Sequence, residues 1–152
     1  MILVLSLFFG CSEKQKKIVV ERMDTSAIPR NVVITEDLVY QLKVGMTYFD
    51  VAMVIGTTTL SNTSVMNPEN KIWKMDDGRE LHIVFNGDYD KFMEDLDNGL
   101  YRLPEEPKET NELGNLQPTE NEKNAIMVFF ANRIATSIVI CDKNGKVIKK
   151  IA

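Results

Sequence analysis

The stretch Val44–Gly56, with the sequence VGMTYFDVAMVIG, predicts a compact joint followed by a helix. Gly45 is expected just past the end of a preceding helix, where glycine adopts the left-handed backbone without a Cβ penalty. Thr47 is the expected N-cap of the next helix, and Asp50, three residues later, completes a capping box. Apolar residues then recur at helical spacing as far as Gly56: Tyr48, Val51, Ala52 and Ile55. The stretch therefore predicts two helices meeting at a corner.

A short helix is predicted before this joint. Thr35 is a suitable N-cap, and Glu36 and Asp37 fall in the first turn, where the helix dipole favours negative charge. Its apolar face consists of Leu38, Val39 and Leu42. A helix of about two turns is not stable alone in water, so it must pack against the second helix and a sheet.

A β-hairpin is predicted after the joint. Its strands are Lys71–Met75 and Arg79–Phe85, joined by Asp76-Asp77-Gly78. An Asp-Gly pair between alternating runs is typical of a type I′ turn, whose left-handed backbone suits glycine. If Lys74 faces water, its neighbours Trp73 and Met75 face inward, which predicts a core position for the tryptophan. Leu81, Ile83 and Phe85 share one face of the returning strand.

Three more strands are predicted near the end of the chain, at Ala125–Ala131, Ile134–Cys141 and Lys146–Ile151. In the first of them Ile126, Val128 and Phe130 share one face, which Ile138 and Ile140 are able to join. The other face of the sheet is then expected to present His82, Val84, Met127 and Phe129. Helices on one side of a sheet leave the other side to water or to a partner, so these four residues are the candidate partner-binding face. Cover by a helix of the insertion, described next, is the alternative.

An insertion is predicted at residues 87–124. Its first part has helical spacing between an Asp88 cap and Gly99, and Arg102–Asn124, with three prolines and six glutamates, is expected to be a flexible acidic loop. Two acidic groups suggest calcium ligands: Asp88 with Asp90, and Asp95 and Asp97 with Glu106. Both lack the glycine and the oxygen ligand that the EF-hand pattern requires, so no metal site is expected.

The N-terminus has the pattern of an export signal. Residues 2–9 are apolar except for one serine, which is too short a run to span a bilayer but typical of a signal peptide. Gly10-Cys11 at its end resembles the lipobox of bacterial lipoproteins. This resemblance implies a signal peptide at 1–10, lipid attachment to Cys11 and a tether at 11–31. A buried N-terminal strand ending in a core cysteine is the alternative. Cys141, within an apolar run, is expected to be a buried, unreactive thiol.

Several of these residues together resemble the SmpA/OmlA (BamE-like) small bacterial lipoproteins. They are Gly45, Met46, Thr47, Val51, Ile55, Gly56, Trp73, Asp77, Gly78, Leu81 and Phe85. The resemblance covers roughly residues 35–86 and implies the fold shared with the β-lactamase inhibitory protein. That is an α+β domain at 32–152, with two N-terminal helices on one face of an antiparallel sheet of four or five strands. It also implies a non-catalytic, protein-contacting role. This chain differs in having Thr57 after the helix-ending glycine, where proline is usual, and in its long insertion.

Composition and motifs narrow the function. A net charge of -4 argues against a nucleic-acid partner. The single histidine, His82, has no nucleophile motif beside it and is expected at the surface, and the sequence contains no GxGxxG or Walker loop. We therefore expect no enzyme, cofactor or small-molecule substrate.

The expected function is that of a lipid-anchored interaction or assembly module among envelope proteins. Its expected location is the periplasmic side of the outer membrane or the outer side of the cytoplasmic membrane. The alternatives are an inhibitor-like protein that binds an enzyme through a loop, and a small envelope hydrolase that uses acidic residues of the insertion.

Overall fold

The fold is α+β, built on one four-stranded antiparallel sheet. The computed structural model describes Ile18–Val19 and residues 24–61, 69–103 and 107–152. The sheet has the order β2-β3-β5-β6, formed by β2 (Glu69–Lys74), β3 (Glu80–Asn86), β5 (Ile134–Cys141) and β6 (Val147–Lys150). Two short strands, β1 (Ile18–Val19) and β4 (Tyr101–Arg102), pair in parallel. The helices are α1 (Glu36–Val39), α2 (Tyr48–Ile55), α3 (Tyr89–Asp97) and α4 (Glu120–Ala131).

The hydrophobic core joins α1 and α2 to one face of the sheet. Val39 of α1 and Val51 and Ile55 of α2 are buried in one cluster with strand residues that alternate along the sheet, namely Trp73, Leu81, Ile83, Phe85, Ile138 and Ile140. Each large apolar side chain buried in this way contributes roughly 1.5–3 kcal/mol relative to exposure. The predicted core position of Trp73 is confirmed.

The joint is fixed by its own caps and by β5. The Thr47 hydroxyl accepts a hydrogen bond from Asp50 N at 3.0 Å, and the Asp50 carboxylate accepts one from Thr47 N at 3.0 Å, so the predicted capping box is confirmed. The joint also pairs with β5 as a short antiparallel segment: Gly45 N donates to Ala135 O at 2.9 Å, and Ala135 N donates to Met46 O at 2.8 Å. Gly45 has the expected left-handed backbone (φ 94°). It does not directly follow α1, however, because that helix ends at Val39.

Trp73 is tied to the glycine that ends α2. Its indole Nε1–H donates to Gly56 O at 3.0 Å, across the buried junction between β2 and α2. Gly56 has φ 76° and ψ −179°, a region that only glycine adopts readily. A Cβ at this position would lie 3.0 Å from Pro29 O, so the site also lacks room for a side chain.

Both hairpins of the sheet have three-residue loops. Met75 N donates to Arg79 O at 3.0 Å, Gly78 N donates to Met75 O at 3.2 Å, and Gly78 has φ 84°. The two aspartates keep negative φ, so the loop is a type I turn followed by a left-handed glycine and the predicted type I′ turn is wrong. The Asp142–Lys146 loop between β5 and β6 has the same bonds.

The strand predicted at 125–131 is wrong, because these residues form the last part of helix α4. Thr119 caps this helix in a complete capping box with Glu122, which overrides the strand propensity of the apolar run. Phe129 and Phe130 then pack against α3, with ring centroids 5.6 Å from that of Tyr89 in both cases. Since the segment is a helix, Ile126, Val128 and Phe130 form no strand face with Ile138 and Ile140.

The insertion is only partly the acidic loop that was predicted. Helix α3 is confirmed, with Asp88 as its cap accepting from Lys91 N at 2.9 Å. The end of the predicted loop is already helix α4. An isolated β-bridge between Thr110 and Leu116 closes a turn in the middle of the predicted loop.

The N-terminal predictions fall mostly outside the residues that the structure describes. The predicted signal peptide and Cys11 lie outside them. Of the predicted tether, β1 pairs with β4, and the Pro29 carbonyl lies beside Gly56. Within the described residues, the helices are all too short or too polar to cross a bilayer.

We expect Gly56→Ala to lower the free energy of unfolding by about 3 kcal/mol, because alanine meets both the backbone restriction and the Pro29 carbonyl. Gly114→Ala is the matched control, since Gly114 also has positive φ (78°) but open space around its Cβ position. Its expected cost is about 1 kcal/mol, for backbone strain alone. Urea unfolding measures both. Equal losses would show that the close approach of Pro29 contributes nothing.

Candidate functional site

The face of the sheet opposite the core is the candidate interaction surface, and we call it the second face. Side chains alternate along each strand, so residues between the core positions point to this side. The register places these residues on it: Asn70, Ile72 and Lys74 of β2, Glu80, His82 and Val84 of β3, Ser137, Val139 and Cys141 of β5, and Lys150 of β6.

A line of hydrogen-bonded polar groups crosses the centre of this face. Glu80 Oε2 lies 2.8 Å from His82 Nε2, and Asn70 Nδ2 lies 3.2 Å from His82 Nδ1. Lys74 also pairs with Glu80. With the proton on Nε2, the ring donates to the Glu80 carboxylate and accepts from the Asn70 amide, so both ring nitrogens are used.

His82 is only 7% exposed, so the predicted surface position is wrong. The reason is that β3 is an inner strand of the sheet. Ile72 of β2 and Val139 of β5 flank the imidazole directly across the ladder, and cross-strand neighbours at this spacing are in contact distance. The position of the strand in the sheet, which the local pattern does not reveal, therefore decides the burial of this histidine.

The Glu80 carboxylate on this face is paired with Lys74 and His82. Hydrogen bonds from Lys74, and then from His82, lower the pKa of the Glu80 carboxyl, so it is ionised at neutral pH. Burial raises the pKa of the Cys141 thiol, and the nearby carboxylates of Glu80 and Asp142 raise it further. Cys141 is buried as predicted, and the shift keeps it in the neutral, weakly nucleophilic form.

The two ring nitrogens of His82 are held by its neighbours on this face. Both nitrogens of the His82 ring are engaged by Glu80 and Asn70, and no hydrogen bond joins that ring to Cys141, so the two side chains do not form a nucleophile–base pair. Around the polar line, the apolar side chains of Ile72, Val84 and Val139 are partly accessible.

The structure brings together only two of the four residues predicted for the partner-binding face. His82 and Val84 lie on β3, whereas Met127 and Phe129 lie on α4. Phe129 packs among rings, with its centroid 4.7 Å from that of Phe92. The predicted grouping of Met127 and Phe129 with His82 and Val84 was wrong because it assumed a strand at 125–131. Residues of β5, chiefly Val139 and Ser137, take the places assigned to the α4 residues.

The ion pair between Arg133 and Glu69, which is largely buried, was not predicted from the sequence. Arg133 Nη1 lies 2.6 Å from Glu69 Oε2, and its guanidinium carbon lies 4.7 Å from the centre of the Phe130 ring. Burial opposes ionisation of Glu69, but hydrogen bonds from Arg133 and Lys71 outweigh it and lower the pKa of that carboxyl. Gly87 leaves room for this arginine, because a Cβ there would lie 2.6 Å from Arg133 Cγ.

A cleft of about 850 Å³ opens near the end of β2, between the segment before α1 and the segment after α2. Its walls are residues 28–32 and the segment Gly56–Leu60, and Trp73 is part of its lining. Asn31, which has the left-handed φ of 55°, and Arg30 stand in this lining. The cleft arises because residues before α1 fold back against the end of α2, which the predicted tether did not anticipate.

Comparisons with protein-family models, with curated proteins and with solved structures found no match for this chain. Within the described residues there is also no group of three or more His, Cys, Asp or Glu side chains arranged to hold a metal ion.

We expect the stability of the wild-type protein to fall as the pH drops below about 4.5, in part through Glu80. Its folded-state pKa is lowered from the ordinary value of 4.5, so its contribution is full above that value and is lost as the pH falls through the folded-state pKa. Glu80→Gln is expected to flatten this part of the profile and to cost about 1 kcal/mol at pH 7. Urea unfolding across pH 2–7 measures both effects.

The control for this prediction is Glu112→Gln, at an exposed carboxylate that has no ion pair among the described residues. It is expected to leave the profile unchanged. A Glu80→Gln profile that matches the wild type would contradict the role given to this carboxylate.

Proposed function

We propose that this chain is a lipid-anchored protein of the bacterial cell envelope and acts as a non-catalytic interaction or assembly module. The observation that carries the proposal is the second face, where partly accessible apolar side chains surround a hydrogen-bonded polar line. A partner that covers this face would gain the burial of Ile72, Val84 and Val139. Burial of Glu80 under such a partner would not leave this carboxylate unpaired, since it is already bonded to Lys74 and His82.

The roles of several motif residues support the proposed likeness to SmpA/OmlA lipoproteins. Thr47 and Asp50 form a capping box, Gly56 accepts a hydrogen bond from Trp73, and Gly78 completes a hairpin loop. Apart from Asp50, these residues are among those that carry the resemblance in sequence. The proposed arrangement is therefore two N-terminal helices over one side of the sheet, with the second face turned toward other envelope proteins.

The proposed anchor rests on the sequence of the N-terminus. The apolar run before Gly10-Cys11 fits a lipoprotein signal, and a lipid on Cys11 would hold the domain at a membrane surface. Either the outer membrane on its periplasmic side or the outer side of the cytoplasmic membrane fits this anchor.

We expect cells that express the full chain to incorporate a palmitate analogue into it, and Cys11→Ser to abolish the label. Cys141→Ser is the control for unspecific attachment to a thiol and should keep the label. Label that survives Cys11→Ser, or a wild-type chain without label, would overturn the anchor.

A loop of the insertion favours a second candidate function, an inhibitor-like protein. Gln117 N donates to Glu109 O at 2.8 Å, and Asn111 N donates to Asn115 O at 2.9 Å, which closes a tight turn. The Asn111 side chain accepts from Leu113 N, and Leu113 at the tip is 84% exposed. A leucine presented in this way suits insertion into the cleft of another protein.

Site-specific photo-crosslinking in intact cells separates the two candidates. A crosslinking residue at Val84 is expected to capture another envelope protein, because this position lies within the second face. Met53, an exposed apolar residue of α2, is the control position and should give no adduct. Capture from Leu113 but not from Val84 would favour the inhibitor-like function, and capture from neither would reject both surfaces.

A further inference from the structure

The two edges of the main sheet differ in a way that bears on partner binding. The β2 edge is covered by the segment that follows α2: Ile72 N donates to Leu60 O at 3.0 Å, and the Thr58 hydroxyl donates to Ile72 O at 2.6 Å. At the opposite edge, no strand of the described residues pairs with the outer side of β6.

The backbone of β6 offers hydrogen-bonding groups to the outside. Ile151 N donates inward to Ile138 O at 2.9 Å, and Lys149 stands opposite Ile140. Backbone N–H groups alternate in direction along a strand, so the N–H of Lys150, between these two residues, points away from β5. Such an edge is a template for one more strand.

The side chains along this edge are apolar and cationic. Val147 is 55% exposed and Ile148 is 51% exposed. In β6 and the loop that precedes it, Lys150, Lys143 and Lys146 have no carboxylate partner among the described residues. Lys149 is different, because it pairs with Glu36 of α1, whose pKa is lowered to about 2 by hydrogen bonds from Lys149, Tyr40 and Arg79 in that order.

We propose that β6 receives an extended acidic segment of a partner protein as an additional antiparallel or parallel strand. Main-chain hydrogen bonds to Lys150 would supply the pairing, and the three unpaired lysines would select carboxylates on the incoming strand. A second copy of this chain is a poorer occupant, because β6 against β6 would bring the lysines of both copies together and like charges across a ladder are destabilising.

This inference deepens the proposed function and rests on it, since it names the class of partner that a non-catalytic interaction module would bind. It concerns the edge of the sheet, whereas the crosslinking at Val84 concerns its face. A failure of the test at the edge can therefore be distinguished from a failure of the crosslinking test at Val84.

The test uses the purified full chain and a synthetic peptide of about eight residues that alternates glutamate with threonine, long enough to pair along one edge. The wild type is expected to bind it at least tenfold more tightly than the same peptide with lysine in place of glutamate. Addition of the acidic peptide should slow hydrogen exchange at the Lys150 amide at least tenfold.

Two variants at one position separate the backbone from the charge. Lys150→Pro removes the outward N–H and is tolerated at a strand edge, so it should abolish detectable binding. Lys150→Ala keeps the N–H and removes one exposed charge, and it should weaken binding less than about fivefold. Thermal unfolding of both variants checks that the fold is kept. The exchange measurement on the wild type stands even where the proline variant does not fold.

The inference is overturned by equal losses in the two variants, since charge alone would then explain binding. It is overturned equally by unchanged exchange at Lys150, or by equal affinity for the acidic and basic peptides. Concentration-dependent dimerisation that Lys150→Pro abolishes would also overturn it, because the occupant of the edge would then be a second copy.

Discussion

The backbone pairing between the joint and β5 is the constraint on which the rest of the domain depends. Ala135 donates to Met46 O and accepts from Gly45 N, so the corner before α2 is fixed on an inner strand of the sheet. Tyr48 N, at the first residue of α2, also donates to Arg133 O. These bonds set where α2 begins, and hence which of its residues enter the core above Phe85.

Several features that depend on nearby residues could be predicted, whereas features that depend on distant residues could not. The capping box at Thr47, the cap of α3 at Asp88 and the core position of Trp73 follow from spacings within a few residues. The helical state of 125–131 also had a local signal, the capping box at Thr119, but a short apolar run fits a strand equally well.

The candidate site illustrates the same limit. His82 and Val84 were predicted on one face because residues two apart in a strand always share it. Their neighbours Ile72 and Val139 come from strands whose register no local pattern specifies. The ion pair between Arg133 and Glu69, 64 positions apart, depends on the tertiary fold in the same way.

The pairing of Asn86 with Ile134 has a consequence for how this domain tolerates change. The segment that contains α3 and α4 leaves the sheet at Asn86, the end of β3, and returns to it at Ile134, the start of β5. These two points are neighbours in the sheet. Closing a loop whose ends already touch costs entropy that grows only slowly with its length. Segments of quite different length can therefore replace the chain between Asn86 and Ile134 at little entropic cost. New binding specificity can be acquired in this segment while the register of the strands is kept.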